Sequence, residues 1–458
     1  MALSQAPLNL DPRYASDAAS ARVNRLLYRA LVDFDAHAAP RPDLATWQQI
    51  NARHYRFTLI EPRPRFHHGK LLDADDIAAT YQSLLALSNS PHRAEFSNIE
   101  KITVLDDRQV DFYLAEDDAG FAAKLILGIM PADLLAQSQD FAHAPVGTGP
   151  LRFAGWNSAL HLRRVVDGQA FRLEEVKDPT VRVLKLLRGE ADLLQGDLSP
   201  EMVKYLRGQK NITIMTSKGS NFSYLGFNLH DNVTSRVEVR QAIAHAIDRD
   251  AIIAHAMVDG TRPAGALLPP EHWAGNAALK DYAYNPQLAR QLLVNAGIQL
   301  PLKLVYKTST DAQRVRLATI MQAQLQQAGI ELEIRSLDWG TFFDDIKQGQ
   351  FQLYGLTWVG IKTPDIYRMA FHGDALPPKG ANRGRLHDGS LDNFIDQHDW
   401  KAVTERVHAL LPYIPLWYEG QFVAMRQDLV DYTLYPDGNW DGLKTVRRIN
   451  SKGDMSDK

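Results

Sequence analysis

Between Pro301 and Trp358 the chain spells strand, helix, strand, helix, strand with links of only a few residues. LKLVY, from Leu302 to Tyr306, reads as a strand, and Asp311 then opens a helix. Its apolar positions, Val315, Leu317, Ile320, Met321 and Leu325, recur at helical spacing until Gly329 ends it. IELEI alternates as a second strand, Trp339 to Lys347 is a short helix closed by Gly349, and FQLYGLTW is a third strand. Strands joined through helices by short links pair in parallel with the helices laid over the sheet. The block therefore predicts a parallel sheet covered by helices.

The flanking sequence extends this unit. Asn285 and Pro286 stand as cap and first residue of another helix, which Gly297 closes. Ser235 and Glu238 form a capping-box pattern ahead of a helix carrying Val239, Ile243, Ile247 and Ile252. Residues 233–427 thus read as one α/β lobe. Residues 44–149 differ, with short strands (HYRFTLI, KITVLD, QVDFYL), a helix beginning near Asp75 and a polar loop, SNSPHRAEFSN. This predicts a smaller α+β unit. A chain of 458 residues suits about three units at roughly 150 residues each. No repeat, low-complexity tract or floppy linker separates them, which favours hinged, interacting lobes.

Composition removes several functions. A net charge of −3 and a pI near 6.6 give no basic footprint for nucleic acid or an anionic membrane. No apolar run approaches the roughly 20 residues that span a bilayer. Cysteine is absent, which excludes disulfides, thiolate metal sites and cysteine nucleophiles.

Catalytic and metal motifs are also missing. His67 and His68 are adjacent, and neighbours in extended chain point opposite ways, so they read as turn residues. His245 and His255 are ten positions apart on one expected helix, roughly 15 Å, too far to share an ion. Gly147-Thr148-Gly149-Pro150 lacks the Lys-Ser/Thr pair of a phosphate-binding loop and continues as strand. Asp344 and Asp345 are turned roughly 100° apart on a helix, no GxSxG elbow exists, and no dense metal-ligand spacing appears. No catalytic residue, metal site or cofactor is expected.

Binding residues are better motivated. Ligands of parallel α/β sheets gather at the carboxyl ends of strands. Trp358 and Lys307 both stand at such ends. Arg383 and Arg385 sit in the loop GANRGR, and Tyr224 ends the run NFSY. Aromatics supply contact area and cations pair with carboxylates.

Two phrases are distinctive. RFHHGKLLDADDIAATY, Arg65 to Tyr81, is a strand end, a turn at Gly69 and a helix entered through Asp73, Asp75 and Asp76. PVGTGPLRF, Pro145 to Phe153, is a glycine turn feeding a strand. Together with LNLDPRYASDAASARVNRLLYRALVDFD and VRQAIAHAIDRDAII, they resemble the family 5 extracellular solute-binding proteins, the peptide, nickel and opine receptors of ABC importers.

The resemblance implies a periplasmic-binding-protein-like, two-lobed α/β clamp with an additional small α+β lobe. Lobe I would comprise residues 1–43, 150–232 and 428–458, lobe II 44–149 and lobe III 233–427. It implies a monomeric, extracytoplasmic receptor that binds a small peptide or peptide-like solute, works with membrane permease subunits, and performs no chemistry. No basic-then-apolar leader precedes Leu8, so the leader of such a chain is expected to have been removed. With Asp365, which the resemblance adds, the expected ligand-binding residues are Tyr224, Lys307, Trp358, Asp365 and Arg383. In peptide-binding members an aspartate shortly after the strand-end tryptophan grips the ligand ammonium. Here, in TWVGIKTPDIYRM, Ile361 takes that place, Lys362 stands beside it, and Asp365 is the next acid. That departure keeps open a metal-chelate or opine receptor. The ligand-sensing domain of a transcription regulator is the other alternative.

Overall fold

The computed structural model describes residues 1–35, 37–378 and 380–449; residues 450–458 of the expected third segment of lobe I lie outside the described residues. The expected parallel block forms. Strand Leu302–Ser309 pairs in parallel with Ile330–Leu337 on one side and with Leu353–Trp358 on the other. Helices Ala312–Gln327 and Trp339–Gln348 make the crossovers, each capped by an aspartate side chain, Asp311 or Asp338, that accepts a first-turn N–H.

This sheet continues into two long antiparallel strands, Ile212–Phe227 and Tyr413–Arg426. At about 3.3 Å per residue each is longer than one sheet needs, and each serves two cores. Near one end, Ile214, Val423, Ala424 and Met425 pack among Leu26, Leu27, Leu151, Leu186 and Leu206. Near the other, Phe222, Tyr224, Leu225 and Trp417 pack with the α/β block. The changeover coincides with a register shift between Ser217 and Asn221. A Cβ on Gly219 would lie 1.4 Å from the Glu419 carbonyl oxygen, so only glycine admits this close crossing. The expected boundaries at 232/233 and 427/428 lie at or beyond the strand ends, several residues after the change of core.

The helix expected through Val239 and Ile252 is two helices, Val237–Ala246 and Arg249–Ala256, the second capped by Asp248. Ser235 and Glu238 do not form a capping box; Arg236 takes the cap position without a side-chain bond, and the Asp231 side chain instead orders the turn at Val233 and Thr234. His245 and His255 therefore sit on separate helices. The helix Pro286–Asn295 is capped by Asn285 as expected.

The smaller unit is a four-stranded antiparallel sheet, in the order Ala45–Asn51, His54–Leu59, Gln109–Leu114, Ile99–Val104. Helix Ala74–Ala86 lies on it through Ile77, Tyr81 and Leu84. Asp73 caps that helix in a reciprocal capping box with Asp76. A further sheet, Ala2–Leu3, Ala170–Glu175, Leu160–Arg164 and Leu151–Trp156, completes the lobe around helix Ala18–Leu27.

Candidate functional site

A cavity of about 1210 Å³ lies where these units meet. Its walls come from helix Ala18–Leu27 and the loops around it, from residues 92–96 and 126–128 of the small unit, from the Thr148–Pro150 turn, from Asp437–Lys444, and from Val359, Gly360 and Lys362 just after strand Leu353–Trp358. Ligand sites commonly occupy about 300–1,000 Å³, so the space suits an extended molecule. The units on its opposite sides are in contact, within the wall and beside it. Lys362 Nζ is 2.6 Å from Asp437 Oδ2, Arg316 Nη1 is 2.6 Å from Glu201 Oε1, and the Trp273 N–H donates to the His37 carbonyl at 3.3 Å.

Most charges in the wall are committed to one another. Arg25 and Arg41 share Asp33 at 3.0 and 2.8 Å, and Arg29 takes Asp43 at 2.6 Å. Arg164 takes Asp167 at 2.6 Å and Lys444 takes Asp441 at 2.9 Å. Asp17 caps its helix through Ser20. Burial alone would raise the Asp437 carboxyl, but the Lys362 charge and hydrogen bond, with the Asn439 N–H, hold it below the usual carboxylate range. Glu95 and Arg22 are different. Desolvation by the protein around it pushes the Glu95 carboxyl up, with Asp365 adding and His92 and Lys124 opposing. Arg22 rests its guanidinium 5.5 Å from the Trp440 ring centroid.

Of the five residues expected to bind ligand, three come together. Arg383 Nη1 donates to Tyr224 Oη at 3.2 Å, and its guanidinium carbon lies 4.9 Å from the Trp358 ring and 5.3 Å from Phe343. Tyr224 is buried and stacks on Tyr413 with centroids 3.9 Å apart. This aromatic box belongs to the core of the α/β lobe, and its members are not among the cavity walls. Lys307 is engaged elsewhere: its ammonium is held by Asp345 at 2.6 Å and the Gln350 carbonyl at 2.5 Å. Arg385 is likewise taken up, by the Arg383 and Lys347 carbonyls. Asp365 precedes helix Ile366–Phe371 without capping it and faces the small unit, its Oδ2 lying 3.5 Å from where a Gly120 Cβ would be. Ile361 packs against the aromatic core.

Sequence reasoning misses the residues that do face the cavity. Glu95 lies in the loop SNSPHRAEFSN, where Arg93–Phe96 forms a 3-10 turn anchored by buried Phe96. Arg22 is one of several arginines on an amphipathic helix. Asp437 belongs to the turn YPDGNW. No local spacing singles them out, because they converge from positions more than 400 residues apart in sequence.

α/β and α+β units joined through paired strands around a shared cavity define the class of clamp-like solute-binding receptors. The chain belongs to the bacterial extracellular solute-binding proteins, family 5, whose middle-region model matches residues 39–375. It is 26% identical to di/tripeptide-binding protein 2 of Pseudomonas aeruginosa (strain UCBPP-PA14) over an alignment covering 94% of this chain and 91% of that protein. It is 24% identical to the dipeptide-binding protein of Escherichia coli (strain K12), covering 90% and 87%. The fold superposes on NikZ from Campylobacter jejuni, solved in complex with Ni(L-His), with a TM-score of 0.82 at 22% identity and 98% of both chains covered.

Proposed function

We propose that this chain is the receptor of an ABC importer, capturing a peptide or peptide-like solute between its lobes by hinge closure. The observation that carries the reading is the cavity itself, which is walled by all three units and joined across its mouth by Lys362–Asp437. A ligand touching both walls favours the closed state by its differential affinity for that state. The relatives named for di- and tripeptides support a peptide as cargo. The receptor acts as a monomer outside the cytoplasm and delivers to membrane permease subunits. Among the described residues no helix is long and apolar enough to cross a membrane.

We divide the molecule at the change of core: lobes I and III meet near Gly219 and Gly420, and the small lobe II spans about residues 44–149. Native mass spectrometry of the protein as purified tests the reading. A bound mass that fragments as a peptide is the expected result, and its exchange by added peptide shifts tryptophan emission. A metal-chelate mass instead selects the second reading, which Ile361 favours by removing the acid that would hold a ligand amine.

A further inference from the structure

Among the described residues seven arginines and lysines and five acids line the cavity, and all but two of these are tied up in ion pairs or a helix cap. The two left over have opposite sign. Arg22 has no carboxylate partner among the described residues, and Glu95 has no ion pair or side-chain hydrogen bond there. Of the groups that favour the Glu95 charge, His92 bonds the Ala15 carbonyl through Nε2 at 2.8 Å and Lys124 is itself paired with Asp118 at 2.7 Å. A cavity lined by one positive and one negative group without an ion-pair partner is matched by a solute carrying one of each.

We propose that Glu95 receives the α-ammonium of the bound peptide and Arg22 its terminal carboxylate, so that lobes I and II hold its ends and the stretch between them meets Val359, Gly360 and Lys362 of the facing wall. This rests on the peptide reading above and specifies it. The two groups stand on different walls: Arg22 on helix Ala18–Leu27 beside Trp440, Glu95 on the 3-10 turn opposite Asp365. The Arg22 guanidinium, its carbon 5.5 Å from the Trp440 ring centroid, has N–H donors in a planar fork that suits a carboxylate. Asp365, which disfavours the Glu95 charge, would add to the attraction for an ammonium placed at Glu95.

The experiment uses the peptide that the wild-type chain retains most tightly from an enzymatic casein digest. It is resynthesised with free ends, with an acetylated amine, and with an amidated carboxyl, and titrated by calorimetry into wild type, Glu95→Gln and Arg22→Gln. For wild type, blocking either end is expected to weaken binding at least about tenfold. Glu95→Gln should weaken the free and amidated peptides by a similar factor but leave the acetylated one at its wild-type affinity. Arg22→Gln should do the same for the carboxyl end, sparing the amidated form. A variant that fails to fold loses all three ligands alike, so the selective pattern reports the contact. Glu95→Asp and Arg22→Lys, which keep the charge, should recover part of the loss. If wild type binds the peptide but the variants weaken free and blocked forms equally, or not at all, the assignment of the two ends is wrong while the peptide reading stands. If wild type retains no peptide from the digest, the peptide reading falls first.

Discussion

His67 Nε2 lies 2.9 Å from the carbonyl oxygen of Gly149, and the His67 main-chain N–H donates to the Gly147 carbonyl at 2.9 Å. The Gly147 N–H in turn reaches His67 Nδ1 at 3.4 Å. The two phrases that mark this sequence, RFHHGK and PVGTGP, are thus the two halves of one clasp, which the Gly149 N–H ties to the Leu27 carbonyl at 2.9 Å. With Nε2 donating and Nδ1 accepting, the ring is held neutral.

Stability should fall as the medium is acidified below about pH 6.5. Burial lowers the proton affinity of His67, only partly offset by the Gly149 carbonyl, and burial lowers that of His272 and His408 as well. A histidine whose folded pKa is depressed binds its proton first in the unfolded chain. Its contribution is complete above the unfolded pKa and declines as pH drops toward the folded value. Urea unfolding between pH 5 and 8 should show midpoints rising with pH, and His67→Gln should flatten the slope. An unchanged slope in that variant would remove His67 from the account.

Gly149→Ala should destabilise the fold by about 3 kcal/mol or more. The added Cβ would stand 2.2 Å from the Leu26 carbonyl oxygen and 2.4 Å from the Leu27 carbonyl carbon, backbone atoms that no rotamer change can move. Gly389, the first residue of helix Gly389–Asp396, has nothing within 4 Å of where a Cβ would stand, so Gly389→Ala should be neutral or stabilising by up to about 1 kcal/mol. Chemical denaturation of the pair checks that the cost is steric.

Asp76→Ala should cost about 2–4 kcal/mol, against about 1 kcal/mol for Asp73→Ala. Asp76 is fully buried and accepts from the Ala132 N–H at 2.7 Å, the Asp73 N–H at 3.0 Å and Lys70 Nζ at 2.5 Å. Its loss strands three donors, two of them main-chain, whereas Asp73 supplies one cap. Equal costs in equilibrium unfolding would show that Asp76 acts only as part of the cap.

Lys362→Met should shift the ligand-free molecule toward an open form. A partly exposed pair worth about 1 kcal/mol changes the closed-to-open ratio about fivefold. Small-angle scattering should report a larger radius of gyration for the variant and for wild type at high salt. Exchanging the two charges, Lys362→Asp with Asp437→Lys, should restore compactness. Because Lys362 holds the Asp437 carboxyl low, the pair is complete above about pH 4 and lost only as pH falls further. Identical scattering for all forms would exclude the pair from closure.

The α/β block was legible because its signals are local. Asp311, Asp338 and Asn285 cap the helices that follow them, and Gly329 and Gly349 end helices with positive φ, as their spacing suggests. The capping box at Ser235 and the single helix through Ile252 failed for an equally local reason: Asp231 and Asp248 are competing caps, and each won its own turn.

Candidate binding residues fared differently. Tyr224, Trp358 and Arg383, read separately in the sequence, come together as a packed box within one lobe. Lys307 was expected just past a strand end, yet the strand continues to Ser309, and Asp345, 38 residues later, neutralises the charge. A charge looks available in sequence until its partner is known.

By itself, then, the sequence determined the local elements, the parallel block and, through the His67 and Gly149 phrases, the family to which the clamp belongs. Tertiary structure alone decided which charges remain free to meet a solute. Ion pairing depends on separations of a few ångströms between residues as remote as Lys362 and Asp437 or Arg25 and Asp441. No periodicity or capping rule encodes such distances. They are set when the two hinge strands cross at Gly219 and bring three cores around one cavity.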